Sequence, residues 1–251
     1  MNGSTWMLYI ILIAVAFIPS VAYIIWIRNT EYYEREPWRR IFATFMWGAV
    51  FGVIIGIVFS LVLIGIFEFA APKRLSDAVY ESEYLSLFLL AVIIAPFAEE
   101  AAKGLGVFTA GRDLDEVEDG LIYGAAVGLG FAATENLLYE YSALVSMGVA
   151  AFIATAVVRS ISSALLHASA TSATGYGIGK KKILGGKYRI LPYYLLAVGM
   201  HAAFNFFASL GTFFGLIVAI TFAIAAIEFT RHKIAQLDVA HMNRDHWRGL
   251  Y

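Results

Sequence analysis

The chain has 251 residues, of which 60% are hydrophobic and 15% charged, and its mean hydropathy is +0.73. A soluble domain carries about 25% charged and 45–50% apolar residues, so a water-soluble enzyme is excluded and an integral membrane protein is expected. A net charge of −1 argues against nucleic acid as a partner, and the absence of cysteine excludes disulfides, thiolate zinc sites and a cysteine nucleophile.

A membrane-crossing helix takes roughly 20 apolar residues. By that measure the sequence predicts an all-α, polytopic membrane helix bundle of about seven transmembrane helices, over residues 7–27, 41–67, 85–110, 121–139, 148–178, 191–209 and 211–229. The first is too long for a signal h-region and lacks a basic n-region, so it is expected to be retained. With the N-terminus outside, fourteen Lys and Arg residues fall in inner segments, and only Lys73 and Arg74 fall in outer ones. That asymmetry predicts a cytoplasmic C-terminus. The expected organisation is one transmembrane domain over 1–230, multi-pass in the cell membrane with the lipid bilayer as its partner. A basic juxtamembrane tail over 231–251 follows, containing His232, His241 and His246 and suited to the inner leaflet.

Several residues read as packing devices. Gly48, Gly52 and Gly56 give the second helix a smooth strip, and Gly124 and Gly128 do the same for the fourth. Pro96 falls inside the third helix, where it is expected to free the carbonyl of Val92. The acidic loop from Gly111 to Gly120 lacks the EF-hand pattern, since Val117 and Glu118 occupy the positions where a ligand and glycine are needed. A solvated turn is expected there.

The informative residues are the ionisable groups inside the spans: Glu99, Glu100 and Lys103 on the third, Glu135 on the fourth, Arg159 and His167 on the fifth, and His201 on the sixth. A charge at the bilayer centre costs about 2.5–3.5 kcal/mol even on the gentler scale, so these groups must meet in a polar interior. At about 1.5 Å per residue, Glu99, Glu100, His167 and His201 all lie about 15 Å from the inner ends of their helices, with Glu135 about 5 Å nearer the outer face. Arg159, Ser163 and His167 step by four, as do Phe131 and Glu135, and His201 and Asn205. Lys103 and Arg159 suit counter-charges. Asn136 points about 100° away from Glu135 and suits a supporting role, as does Asn205. Glu99 faces Lys103 at the favourable i,i+4 spacing, which leaves Glu100 to address water or a metal, although the i,i+3 pairing of Glu100 with Lys103 is nearly as good.

Glu99, Glu100, Glu135, His167 and His201 are therefore the candidate catalytic set. Glu100, Glu135, His167 and His201 can hold zinc with an open position for water, a further glutamate serving as base. The same groups can also act without metal, a glutamate activating water and the histidines binding the oxyanion. Other intramembrane protease chemistries lack their parts: there is no His-Glu-x-x-His segment, no aspartate lies in a predicted span, and Ser163 shares a helix with His167 and makes a poor dyad. A proton- or ion-coupled transporter also uses buried glutamate and histidine, but no inverted repeat marks one here. A non-catalytic scaffold would keep the polar centre for assembly alone.

Glu99-Glu100-Ala-Ala-Lys103, Asp119-Gly120-Leu-Ile-Tyr123-Gly124, Phe131-Ala-Ala-Thr-Glu135-Asn136, Arg159 with His167, and His201-Ala-Ala-Phe-Asn205 together resemble the PrsW family of intramembrane proteases. Glu34-Arg-Glu36-Pro37 resembles that family's first inner loop. The family is similar to the larger group of CAAX prenyl endopeptidases and bacteriocin-immunity-type membrane proteases, which carry Glu-Glu, Phe-x-x-x-His and His-x-x-x-Asn segments. Here Glu135 replaces the first of those histidines, which leaves His167 to fill its place. The resemblance implies cleavage of a membrane-anchored regulatory protein, such as an anti-sigma factor, near the membrane surface, and leaves metal use open.

Overall fold

A computed structural model describes the backbone of residues 3–248 and the side chains of residues 6–240. The described residues form helices and no strand. Seven stretches among them are long and apolar enough to cross a membrane: Trp6–Arg28, Trp38–Ala70, Glu83–Asp113, Asp119–Met147, Val149–Leu184, Leu191–Ser209 and Phe213–Ala240, here the first to seventh spans. A short helix, Lys73–Glu81, joins the second to the third. The protein is a multi-pass membrane helix bundle.

The fourth span is the most buried and packs most extensively on the second half of the fifth. The first and second spans lie against the fourth, and the sixth and seventh against the fifth. Inside lipid, helices gain nothing by hiding apolar surface from water, so association rests on close backbone approach and van der Waals contact. Gly128 shows the consequence: a Cβ there would run into the backbone carbonyl of His167. Gly48 stands likewise against the backbone of Val127, whereas Gly52 and Gly56 make only ordinary contact with the Phe131 ring.

Three spans depart from the regular α-helix. The second contains a π-helical stretch at Gly48–Gly52, and the third another at Leu89–Ile94. The fifth breaks at Ser162, whose hydroxyl donates to the carbonyl of Val158 at 2.7 Å. Side chains from elsewhere meet the carbonyls loosened at the π turns: Thr134 Oγ1 donates to Ala49 O at 2.7 Å and Asn205 Nδ2 to Ala91 O at 2.8 Å. The expected free carbonyl of Val92 is thereby corrected to that of Ala91. In a π turn the N–H bonds five residues back, as Ala95 N–H does to Leu90 O; Pro96, next in line, has no N–H to offer Ala91.

The acidic loop is not the solvated turn expected of it. Glu116, Glu118 and Asp119 are buried, because Asp119 Oδ2 accepts the backbone N–H groups of Asp115 and Glu116 at 2.8 and 2.6 Å and draws the loop inward. From Arg231 the chain continues the seventh helix, which runs Phe213–Arg248. Arg231 stacks 3.8 Å above the ring of Trp26, Ile234 is buried, and the Asp238 carboxylate accepts from the backbone N–H of Tyr32 at 2.8 Å and of Tyr33 at 3.3 Å. His232 is exposed, and the side chains of His241 and His246 lie outside the described residues.

Candidate active site

The π turn and Pro96 start a regular helical segment, Ala95–Val107, that carries Glu99, Glu100 and Lys103. Glu100 is fully buried, and all its partners are polar. Its Oε1 lies 2.6 Å from Lys103 Nζ and 3.0 Å from His201 Nδ1, and Thr171 Oγ1 donates to Oε2 at 3.1 Å. Glu99 Oε2 lies 3.7 Å from Lys103 Nζ and 3.9 Å from His201 Nε2, and has no hydrogen-bond partner.

The expected division of labour between the two glutamates is thus reversed in its pairing. Lys103 bonds Glu100, and Glu99 is the carboxylate left open. The i,i+4 preference is worth only about 0.2–0.5 kcal/mol on a helix surface. A fully desolvated carboxylate needs several charge-assisted partners, and only Glu100 faces Thr171 and His201 Nδ1.

Lys103 Nζ also reaches His167 Nδ1 at 2.8 Å and lies 4.4 Å above the Phe131 ring. An ammonium only donates, so His167 Nδ1 accepts and its Nε2 carries the proton that goes to Glu135 Oε2 at 2.8 Å. Glu135 Oε2 is also 2.8 Å from Arg159 Nη2. That guanidinium donates to Asn136 Oδ1 at 2.8 Å and Ser163 Oγ at 3.0 Å, and lies 3.9 Å over the Tyr139 ring. The rings of His167 and His201 meet edge to face, 4.8 Å apart.

Glu99, Glu100, Lys103, Glu135, Arg159, His167 and His201 therefore form one continuous polar network. Asn136 supports Arg159, and Asn205 holds the third span's backbone without touching a carboxylate. Thr171 was not singled out from sequence, although it lies one turn beyond His167 and continues the Arg159-Ser163-His167 stripe.

Three carboxylates face two permanent cations in this network, so one negative charge remains for a proton, a protonated histidine or a metal. Glu99, His167 and His201 each offer a donor atom, and these atoms lie within 4.8 Å of one another. Glu100, expected among the ligands, has both oxygens engaged. His201 gives its Nδ1 proton to Glu100, so its Nε2 lone pair is left facing the open oxygen of Glu99. That arrangement is the carboxylate–histidine orientation common behind bound metals. Glu99 and Glu135 also line a pocket of about 230 Å³ with Gly56, Ser60 and Phe131, between the second and fourth spans.

Residues 36–227 match the family described as PrsW family intramembrane metalloprotease. The chain belongs to this family. It is similar to proteins named Protease PrsW from Clostridioides difficile (strain 630), at 28% identity over 230 residues covering 89% of this chain and 90% of the relative. The namesake from Geobacillus kaustophilus (strain HTA426) is 29% identical over 197 residues, covering 74% and 77% of the two chains, and that from Bacillus subtilis (strain 168) is 27% identical over 190 residues, covering 71% and 72%. No solved structure matches the chain. The protein is a membrane protease, and the matched PrsW region contains the whole polar network.

Proposed function

We propose that this PrsW-family protein is an intramembrane endopeptidase that hydrolyses a peptide bond in a membrane-anchored regulatory protein, with Glu99 as the base. The observation that carries this reading is the Glu99 carboxyl: its buried Oε2 has no hydrogen-bond partner, and the side chain, still 16% exposed, lines the pocket between the second and fourth spans. Glu100 and His167 engage Lys103 Nζ at 2.6 and 2.8 Å and so keep it 3.7 Å from Glu99.

In the pocket Glu99 takes a proton from water as the water oxygen adds to the scissile carbonyl carbon. The protonated Glu99 then gives that proton to the leaving amine as the C–N bond breaks. Arg159 keeps Glu135 charged and fixed, and Glu135 sets the tautomer of His167.

A metal-assisted reading is favoured by the cluster of Glu99, His167 and His201 and by the class of the family. Those three residues would hold a zinc ion, His167 as a neutral imidazole through Nδ1, the nitrogen that carries no proton, once Lys103 releases it. The ion would supply Lewis-acid polarisation and an acidified water. Glu135, on the same pocket wall, is then the carboxylate left to move the proton.

The deciding experiment is cleavage of a membrane-anchored reporter by wild type and Glu99→Gln in liposomes, with metal content measured on both. A loss of turnover of roughly 10²-fold or more in a folded Glu99→Gln variant supports the reading. Loss of bound zinc in the same variant moves Glu99 from base to ligand. Turnover equal to wild type overturns both roles.

A further inference from the structure

A second set of carboxylates gathers at the bundle end that carries the Lys- and Arg-rich loops, at the far end of the fourth span from Glu135. Glu31 and Glu36 come from the loop after the first span, and Asp119 begins the fourth. All three are buried, with 1%, 4% and 1% of their surface exposed, and one oxygen from each lies within 4.8 Å of the others.

Each residue spends one oxygen on fixing its surroundings. Glu31 Oε2 accepts the backbone N–H of Glu36 at 3.1 Å, and Asp119 Oδ2 accepts those of Asp115 and Glu116. Glu36 Oε2 accepts the Tyr123 hydroxyl. The other oxygen of Glu31, Oε1, is buried with no hydrogen-bond partner.

No ion pair among the described residues includes Glu31, Glu36 or Asp119. The cations of the same loop are used elsewhere: Arg28 Nε donates to the backbone carbonyl of Glu36 at 2.6 Å with its guanidinium 4.2 Å over the Trp38 ring, and Arg35 Nε donates to the backbone carbonyl of Glu31 at 2.8 Å. Three buried carboxylates without a paired cation are strongly unfavourable unless something positive joins them. One oxygen of Glu36 and one of Asp119 lie within 4.8 Å of each other, a distance at which two bare buried carboxylates repel.

We propose that Glu31, Glu36 and Asp119 bind a hard divalent cation that clamps the loop after the first span onto the start of the fourth. The donor set is oxygen only, which suits Ca²⁺ or Mg²⁺ and not the mixed imidazole–carboxylate chemistry of the protease centre. Ligand atoms up to 4.8 Å apart match opposite sides of a coordination sphere with oxygens at about 2.3–2.6 Å. The competing occupant is a pair of protons, because burial pushes Glu31 up to about 8 and Glu36 up to about 10.

The test uses the full chain in detergent, stripped with EDTA and carrying Glu99→Gln so that the protease centre does not contribute. Ca²⁺ and Mg²⁺ are added separately, and Tm is followed. At roughly 100-fold excess over Kd, either ion should raise Tm by about 5 °C, and the isosteric Glu31→Gln should abolish the rise. A second readout is terbium(III) luminescence sensitised through Tyr123, displaced by Ca²⁺ and lost in Asp119→Asn; it serves where Glu31→Gln does not fold. The proposal is overturned if neither ion changes Tm, if Glu31→Gln responds to the ion as fully as its parent, or if Glu31→Gln leaves Tm unchanged both without and with the ion, which assigns the cluster to protons because glutamine is isosteric with a protonated glutamate.

Discussion

Glu99 and Glu100 are neighbours in sequence and opposites in environment. Glu100 sits in a cage of Lys103, His201 and Thr171, so its charge is structural as well as electrostatic. Removing one member of a buried ion pair leaves the other uncompensated, at a cost of about 3–5 kcal/mol, whereas removing both is close to neutral. Glu100→Gln is therefore expected to lower Tm sharply. Adding Lys103→Met to it should recover part of the loss, because the ammonium that has lost its 2.6 Å partner and faces only Glu99, at 3.7 Å, is then gone. Thermal unfolding of the two single variants and the double variant gives the coupling energy directly. Additive losses would mean that the 2.6 Å contact contributes nothing. The presence of a charged centre was legible in the sequence, from the cost of burying seven ionisable groups. The pairing was not, because helical spacing orders neighbours along one helix and Thr171 and His201 come from two others.

At the scale of elements, the third span joins a local irregularity to the site. Pro96 and the π turn free the carbonyl of Ala91, and Asn205, one turn after His201, satisfies it. The same contact that repairs the backbone thus fixes the sixth span against the third, and with it the approach of His201 to Glu100. An unsatisfied buried carbonyl costs about 1–3 kcal/mol, so Asn205→Ala should destabilise by that amount. In a Pro96→Ala background the new N–H at position 96 can reach Ala91 itself, and Asn205→Ala should then cost much less. Equal costs in the two backgrounds, read by thermal unfolding, would show that Asn205 acts through some other contact. Sequence reading located both residues but assumed α-helical register, and so named Val92. A π turn has no strong sequence signal, since Leu89–Ile94 is an ordinary apolar run.

For the whole molecule, span number and helix class followed from hydropathy alone, because lipid leaves the backbone no alternative to internal hydrogen bonding. The acidic loop was misread for the converse reason. Its carboxylates were judged against water, while Asp119 closes on the loop's own backbone N–H groups and Glu36, from some 80 residues earlier in the chain, stands beside it. Orientation rests on a different force, the bias of Lys and Arg toward the cytoplasm. Fourteen such residues lie on one side and two on the other, which predicts that the cation-binding end faces the cytoplasm and the helix Lys73–Glu81 the exterior. The chain contains no cysteine, so a single introduced thiol reports its own side without background. Asp77→Cys, on the exposed face of that short helix, should react with a membrane-impermeant maleimide in intact cells. Gly186→Cys, in the exposed turn between the fifth and sixth spans, should react only after lysis. Both substitutions leave every Lys and Arg in place, so the determinant under test is unchanged. Labelling of Gly186→Cys but not Asp77→Cys in intact cells would invert the topology and put the Glu31–Glu36–Asp119 cluster outside.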